Sequence, residues 1–153
     1  LATRPGFLDL SICNHCHVIS TMSDKWKMNG RFSPEYKQVN ILSVPVITLD
    51  SLIDEYGLPK FCKIDVEGFE KEVLMGLTRP IPCISFEFTK EFLDDAKVCA
   101  DHLASLGTAS FNFTIADKMS LVFKDWVSSA ELLLKLEKIE KKDLWGDIYV
   151  KFK

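Results

Sequence analysis

"KIDVEGFE", Lys63 to Glu70, ends a short apolar run, Phe61 to Asp65, in three carboxylates grouped around one glycine. The run is the length of a buried strand. Phe69, Val73 and Leu77 follow at helical spacing, and Gly76 and Pro80 mark the stop of that helix. A strand feeding a helix in so few residues is the repeating unit of an α/β sheet. Ligands of such sheets sit beyond the carboxyl ends of the strands, which places Asp65 at a rim. If the chain is still extended there, Asp65 and Glu67 point the same way, because strand side chains repeat every two residues. Gly68 allows a sharp turn and a close ligand approach. Glu70 falls in the first helical turn, where the helix dipole alone would favour it. Asp65 alone would also suit a helix N-cap.

Working outward, the next apolar strand is "CISFEF", Cys83 to Phe88, and it contains Glu87. A carboxylate inside such a strand is costly unless it is paired or bound. If the two strands are neighbours, Asp65, Glu67 and Glu87 share one rim. These three are the candidate catalytic residues, with Glu70 and Gly68 as candidate substrate-binding positions. Grouped carboxylates can bind a divalent cation, hold hydroxyls, or act as a general base.

The remaining chain keeps the alternation. Phe7 to Cys13 and Ile41 to Ile47 read as strands. Leu49, Leu52, Ile53 and Tyr56 have helical spacing, ended by Gly57 and Pro59. Phe92, Ala96, Cys99, Leu103 and Leu106 line a longer helix, with Gly107 as its cap. Ser110 to Ile115 and Met119 to Phe123 are further strand candidates. Ser128 and Glu131 form a capping box for a helix with Leu132, Leu136 and Ile139 inward. Asp147 to Phe152 closes the chain as a strand. The fold class expected is α/β: a mostly parallel sheet with helices on both faces, in a single domain over residues 1–153. Residues 20–40 are polar and irregular but hold Trp26, Phe32 and Tyr36, the mark of a long ordered loop or short helix of the kind that carries function, with Trp26 and Phe32 as cover for the core.

Composition narrows the classes. The 153 residues are 47% hydrophobic and 27% charged with a net charge of -3, as in a globular domain. No basic stripe invites nucleic acid, and no apolar run is long enough for a membrane span. Five cysteines scattered through strands and a helix fit reduced thiols in a cytoplasmic setting better than a disulfide framework. "CNHCH", Cys13 to His17, has the look of a soft-metal or haem motif, but a second ligand pair at regular spacing is missing. No metal ligands are assigned there. His15 or His17 could lie near a pocket rim, with a surface or satisfied histidine as the default, and Ser20, Thr21 and the loop aromatics could shape the pocket, with structural packing as the default.

The stretch "VPVITLDSLIDEYGLPKFCKIDVEGFEKEVLMGL", followed by "ISFEF", resembles the FkbM family of S-adenosylmethionine-dependent methyltransferases. The matching elements are Thr48-Leu49-Asp50, Lys63 to Gly68 with Glu70, Leu74 with Gly76, and Glu87. They span about Val44 to Phe88; the closing "WGDIYVKF" fits a subset of the family more loosely. The resemblance implies a Rossmann-like class I methyltransferase fold, with S-adenosylmethionine as cofactor. It also implies methyl transfer to a hydroxyl oxygen of a small molecule such as a sugar or polyketide. The acceptor oxygen would attack the methyl group in line, and the protein would position the reactants and take the hydroxyl proton. A carboxylate suits that task, and so does a carboxylate-bound Mg²⁺.

The sequence departs from the family in one respect. No Gly-x-Gly occurs in the 153 residues, so the glycine-rich cofactor loop is missing and the cofactor-binding residues stay unassigned. The expectation is the second half of the domain, with an unpaired apolar edge at Phe61 to Asp65 that promotes self-association. Two other readings stay open: a Mg²⁺-dependent phosphoryl-transfer or hydrolytic enzyme, and a non-catalytic half-domain acting as an interaction module.

Overall fold

A computed structural model describes residues 1–14, 16–118 and 120–153. Elements follow in the order β1 (Gly6–Cys13), α1 (Asp24–Asn29), β2 (Val39–Val46), α2 (Leu49–Tyr56), β3 (Cys62–Ile64), α3 (Glu70–Leu74), β4 (Cys83–Thr89), α4 (Leu93–Leu106), β5 (Ala109–Phe113), α5 (Ser129–Lys138) and β6 (Trp145–Phe152). β1 and β2 pair antiparallel as a separate two-stranded ribbon. The other four strands form one sheet in the order β3-β4-β6-β5.

The sheet is mixed rather than mostly parallel. β3 pairs parallel with β4, but β6 runs antiparallel to both β4 and β5. β3, β4 and β5 therefore share a direction, and β6 slots between the last two against it. Each of the first three strands is reached through a helix, as parallel neighbours require. The chain returns from α5 into the gap between β4 and β5.

Among the described residues, helices are not found on both faces either. Ile64, Ile84, Phe86, Phe88, Phe111, Phe113, Ile148 and Val150 lie on one face by register, and they form a single core with the buried side chains of α2, α3, α4 and α5. The other face carries Lys63, Ser85, Glu87, Asp147, Tyr149 and Lys151, which alternate with those core residues. This side is polar, and it is the floor of the site described below.

Several expected local signals are realised. Ser128 and Glu131 make both bonds of the capping box at α5. Thr48 caps α2 through the Ser51 N–H, and the Asp50 carboxylate accepts from the backbone and hydroxyl of Thr78. Thr48-Leu49-Asp50 thus ties α2 to the turn after α3, away from the rim. Ser120 to Phe123 is not a strand, and Met119 lies outside the described residues. Asn112 instead fixes the backbone of Phe123 by giving one hydrogen bond and taking another. At Gly146 a Cβ would lie 2.1 Å from the Thr114 carbonyl oxygen, so only glycine lets the segment after β5 cross β6.

Candidate active site

The turn after β3 is not extended. Glu67 has φ 53° and Gly68 φ 83°, two successive left-handed residues that fold the chain back between strand and helix. A Cβ on Gly68 would lie 2.7 Å from the Trp26 ring, so glycine is required for space as well as for φ. Glu70 holds the turn shut. Its Oε1 accepts from the N–H groups of Val66 (3.1 Å) and Gly68 (3.3 Å), and its side chain is buried. Its carboxylate is directed at the turn's own backbone, as a clamp. Asp65 is not the N-cap of α3; Phe69 occupies that position, with no side-chain cap.

Although Glu67 leaves the extended conformation, the turn still gathers the expected carboxylates. Asp65, Glu67 and Glu87 each offer an oxygen within 4.8 Å of the others. Burial pushes Glu87 up to about 8, reinforced by the negative charges of Glu70, Glu67 and Asp65. Burial, and then the charge of Asp65, pushes Glu67 up to about 7. Arg31 works against both shifts. Burial also pushes Glu70 up to about 7, although its backbone hydrogen bonds pull the other way.

Besides Thr21, which was expected beside the loop aromatics, three contributors to this site were not singled out from the sequence. Asp147 stands directly opposite Glu87 in the β4–β6 ladder. Lys63 bridges Asp65 (3.3 Å) and Asp147 (3.8 Å). Burial disfavours its charge, but the two carboxylates outweigh burial and hold its pKa above the ordinary value. Arg31 pairs with Glu91 through two nitrogens, at 3.2 and 3.3 Å, and lies over the Trp145 ring. Thr21 donates to the Glu67 carbonyl at 2.7 Å, fixing the turn from the β1–β2 connection. A signal for Asp147 was present in "DIYVKF", where polar and apolar residues alternate as on a half-polar strand. Arg31 had none, because its approach is long-range.

The "CNHCH" stretch does not join the site. Cys13 is buried beside Trp26 and Tyr36, and its Sγ donates to the Glu35 carbonyl. His15 lies outside the described residues, and His17 opens a short 3-10 turn. All five cysteines carry free thiols. Trp26 and Tyr36 are core of this smaller cluster, and Phe32 packs against Trp26 at 6.5 Å.

A family model described as "Methyltransferase FkbM domain" matches residues 8–114. The chain belongs to the FkbM methyltransferase family. The match runs from β1 to the end of β5 and takes in the carboxylate turn, Glu87 and the β1–β2 connection that packs on Gly68. No curated protein and no solved structure matches it. Methyl transfer is therefore the activity that the FkbM domain indicates, and S-adenosylmethionine the methyl donor that it implies.

The described residues do not fit the donor's methionyl carboxylate. That group needs free backbone N–H groups or a cation. The Val66 and Gly68 N–H groups are already taken by Glu70, three carboxylates crowd the rim, and its cations are engaged, Lys63 with Asp65 and Asp147 and Arg31 with Glu91. The same residues do suit a hydroxyl. Among the described residues, no helix is long and apolar enough to cross a membrane.

Proposed function

We propose that this FkbM domain methylates a hydroxyl oxygen of a small molecule, and that Asp65, Glu67 and Glu87 receive the acceptor. The observation that carries this reading is the convergence of the three carboxylates within 4.8 Å at the carboxyl ends of β3 and β4. Each can accept a hydrogen bond from an acceptor hydroxyl. Glu87, half-buried and pushed up to about 8, is the proton acceptor: its pKa lies close to the working pH, where general-base catalysis is most effective. Asp65, steadied by Lys63, and Glu67, fixed by its left-handed turn, orient the hydroxyl towards it.

The test is methyl transfer from S-adenosylmethionine to a panel of alcohols and polyols, by the wild type and by Glu87→Gln. Loss of a general base lowers kcat by about 10²–10⁴. An unchanged kcat in the variant would remove Glu87 from that role.

The same spacing favours a second reading, in which the three carboxylates hold Mg²⁺ and the metal lowers the hydroxyl's pKa. Treatment with a chelator separates the two. A rate unaffected by chelator supports the carboxylate base, whereas a rate abolished by chelator and restored by Mg²⁺ supports the cation.

A further inference from the structure

The "CNHCH" stretch plays no part in the carboxylate site, yet it places two thiols together. Cys13 ends β1 and is fully buried, and Cys16 follows half-buried. The chain bends at Asn14, whose side chain accepts a hydrogen bond from Asn40 at 2.9 Å. It then returns along β1. Ser11 and Thr21 exchange both backbone hydrogen bonds of an antiparallel bridge, at 2.9 and 3.1 Å, and the Ser20 hydroxyl accepts from the Cys13 N–H. Cys16 lies within the loop that these bonds close. Both cysteines pack into the small cluster of Ile19, Trp26 and Tyr36. Burial raises the Tyr36 hydroxyl well above its ordinary value, and the charges of Glu67 and of ionised Cys13 and Cys16 add to that, so both sulfurs stand near one phenol.

The other three cysteines have no comparable neighbour. Cys62 stands opposite Ile84 in the β3–β4 ladder, so Cys62 and Cys83 point to opposite faces of the sheet. Cys99 is buried in α4 within the main core. Burial raises the pKa of all three thiols above the ordinary value, which lowers their reactivity. A Cys-x-x-Cys spacing is instead that of a reactive dithiol. A bend between the two residues suits the Cα separation of about 4.4–6.8 Å that a disulfide needs.

We propose that Cys13 and Cys16 form a reversible thiol–disulfide site, oxidised by a small-molecule disulfide such as oxidised glutathione. Cys16 has solvent access and reacts first. Its thiolate bonds to one sulfur of the oxidant, and the other sulfur leaves as a thiolate. Cys13, whose Sγ–H now donates to the Glu35 carbonyl, then attacks the Cys16 sulfur. The Cys13–Cys16 bond forms, and the second glutathione departs with the Cys13 proton. Two thiols are oxidised to one disulfide while the oxidant is reduced to two thiols, and the reverse exchange restores the pair. The site lies beneath the cover of the carboxylate turn, since Trp26 of the same cluster seats on Gly68.

To test this, the folded protein is equilibrated at rising ratios of oxidised to reduced glutathione. The remaining thiols are capped with iodoacetamide in urea, and the tryptic peptides are weighed. Cys13 and Cys16 should lose the cap together, in a peptide two hydrogens lighter than the dithiol and free of glutathione, at ratios that leave Cys62, Cys83 and Cys99 capped. Dithiothreitol should return both thiols. Cys13→Ser should keep glutathione on Cys16, because no second thiol displaces it, and Cys16→Ser should leave Cys13 reduced, because its sulfur is buried. Capping of both wild-type thiols at every ratio overturns the inference. So does glutathione that stays on wild-type Cys16, or a bond from either residue to another cysteine. The wild-type masses decide the matter even if a variant fails to fold. No methyl transfer is read, so the result is independent of the proposed function.

Discussion

Glu70 and Glu87 sit seventeen positions apart on neighbouring elements, and both are carboxylates in largely apolar surroundings. Their fates differ because of what they face. Glu70 finds two backbone donors within its own turn and is satisfied there. Among the described residues Glu87 has no ion-pair partner, and burial and the shared space with Asp65 and Glu67 give it the larger upward shift. Substitution should therefore separate them. Glu70→Ala strips the acceptor from two N–H groups and should cost about 1–3 kcal/mol of stability, read as a lowered urea midpoint. Glu87→Gln should leave the midpoint at or above that of the wild type, because it removes a carboxylate that is costly to ionise, while it lowers kcat. In the wild type the rate should rise with pH through about 8 as Glu87 loses its proton, and that limb should vanish in the variant.

At the scale of elements, the β1–β2 connection and the turn after β3 behave as one piece. Trp26 of α1 packs on Gly68, Thr21 holds the Glu67 carbonyl, and Lys25 and Arg31 pair with Asp95 and Glu91 near the start of α4. The turn cannot adopt its double left-handed shape without the flat face that Gly68 gives to Trp26. Gly68→Ala should destabilise the protein by about 1–2 kcal/mol from φ alone, with the overlap on Trp26 adding to that. Thermal unfolding measures the loss. A variant as stable as the wild type would mean that the turn can relax away from Trp26.

For the whole molecule, the raised carboxyls set the response to pH. Glu67, Glu70 and Glu87 move from an ordinary value of 4.5 to about 7, 7 and 8 in the fold. Between those limits the native state keeps protons that the unfolded chain has released, so stability falls as pH rises. Tm should decline from about pH 5 to about pH 8 and level above it, and Glu87→Gln should flatten the upper part of that decline. The sheet also has an open side. Among the described residues β3 pairs only with β4, and Phe61 and Tyr56 stand exposed next to it, beside a groove lined by Leu52, Ile53 and Ile81. Free edges of this kind recruit strands. Sedimentation should show association that grows with concentration; a monomer at all concentrations would count against it.

How much of this could be read in the sequence depends on the range of the interaction. Period and punctuation are local, so the helices, the capping box and most strands stood within a few residues of their expected places, whereas the described part of Met119 to Phe123 is not a strand. The chemistry of "KIDVEGFE" and the oddity of Glu87 in an apolar strand were enough to name the carboxylate cluster, because desolvation makes an unpaired buried charge conspicuous in any fold. The order of strands was not legible, since nothing in Asp147 to Phe152 says which neighbours it inserts between or in which direction it runs. That insertion makes the sheet mixed, leaves one face polar, and sets Asp147 across from Glu87. The sequence by itself determined which residues could bear the chemistry, through residue type and local period. The tertiary structure alone decided which of them meet, because register, crossing chains and the cover of Arg31 and Trp26 arise from contacts between residues far apart in the chain.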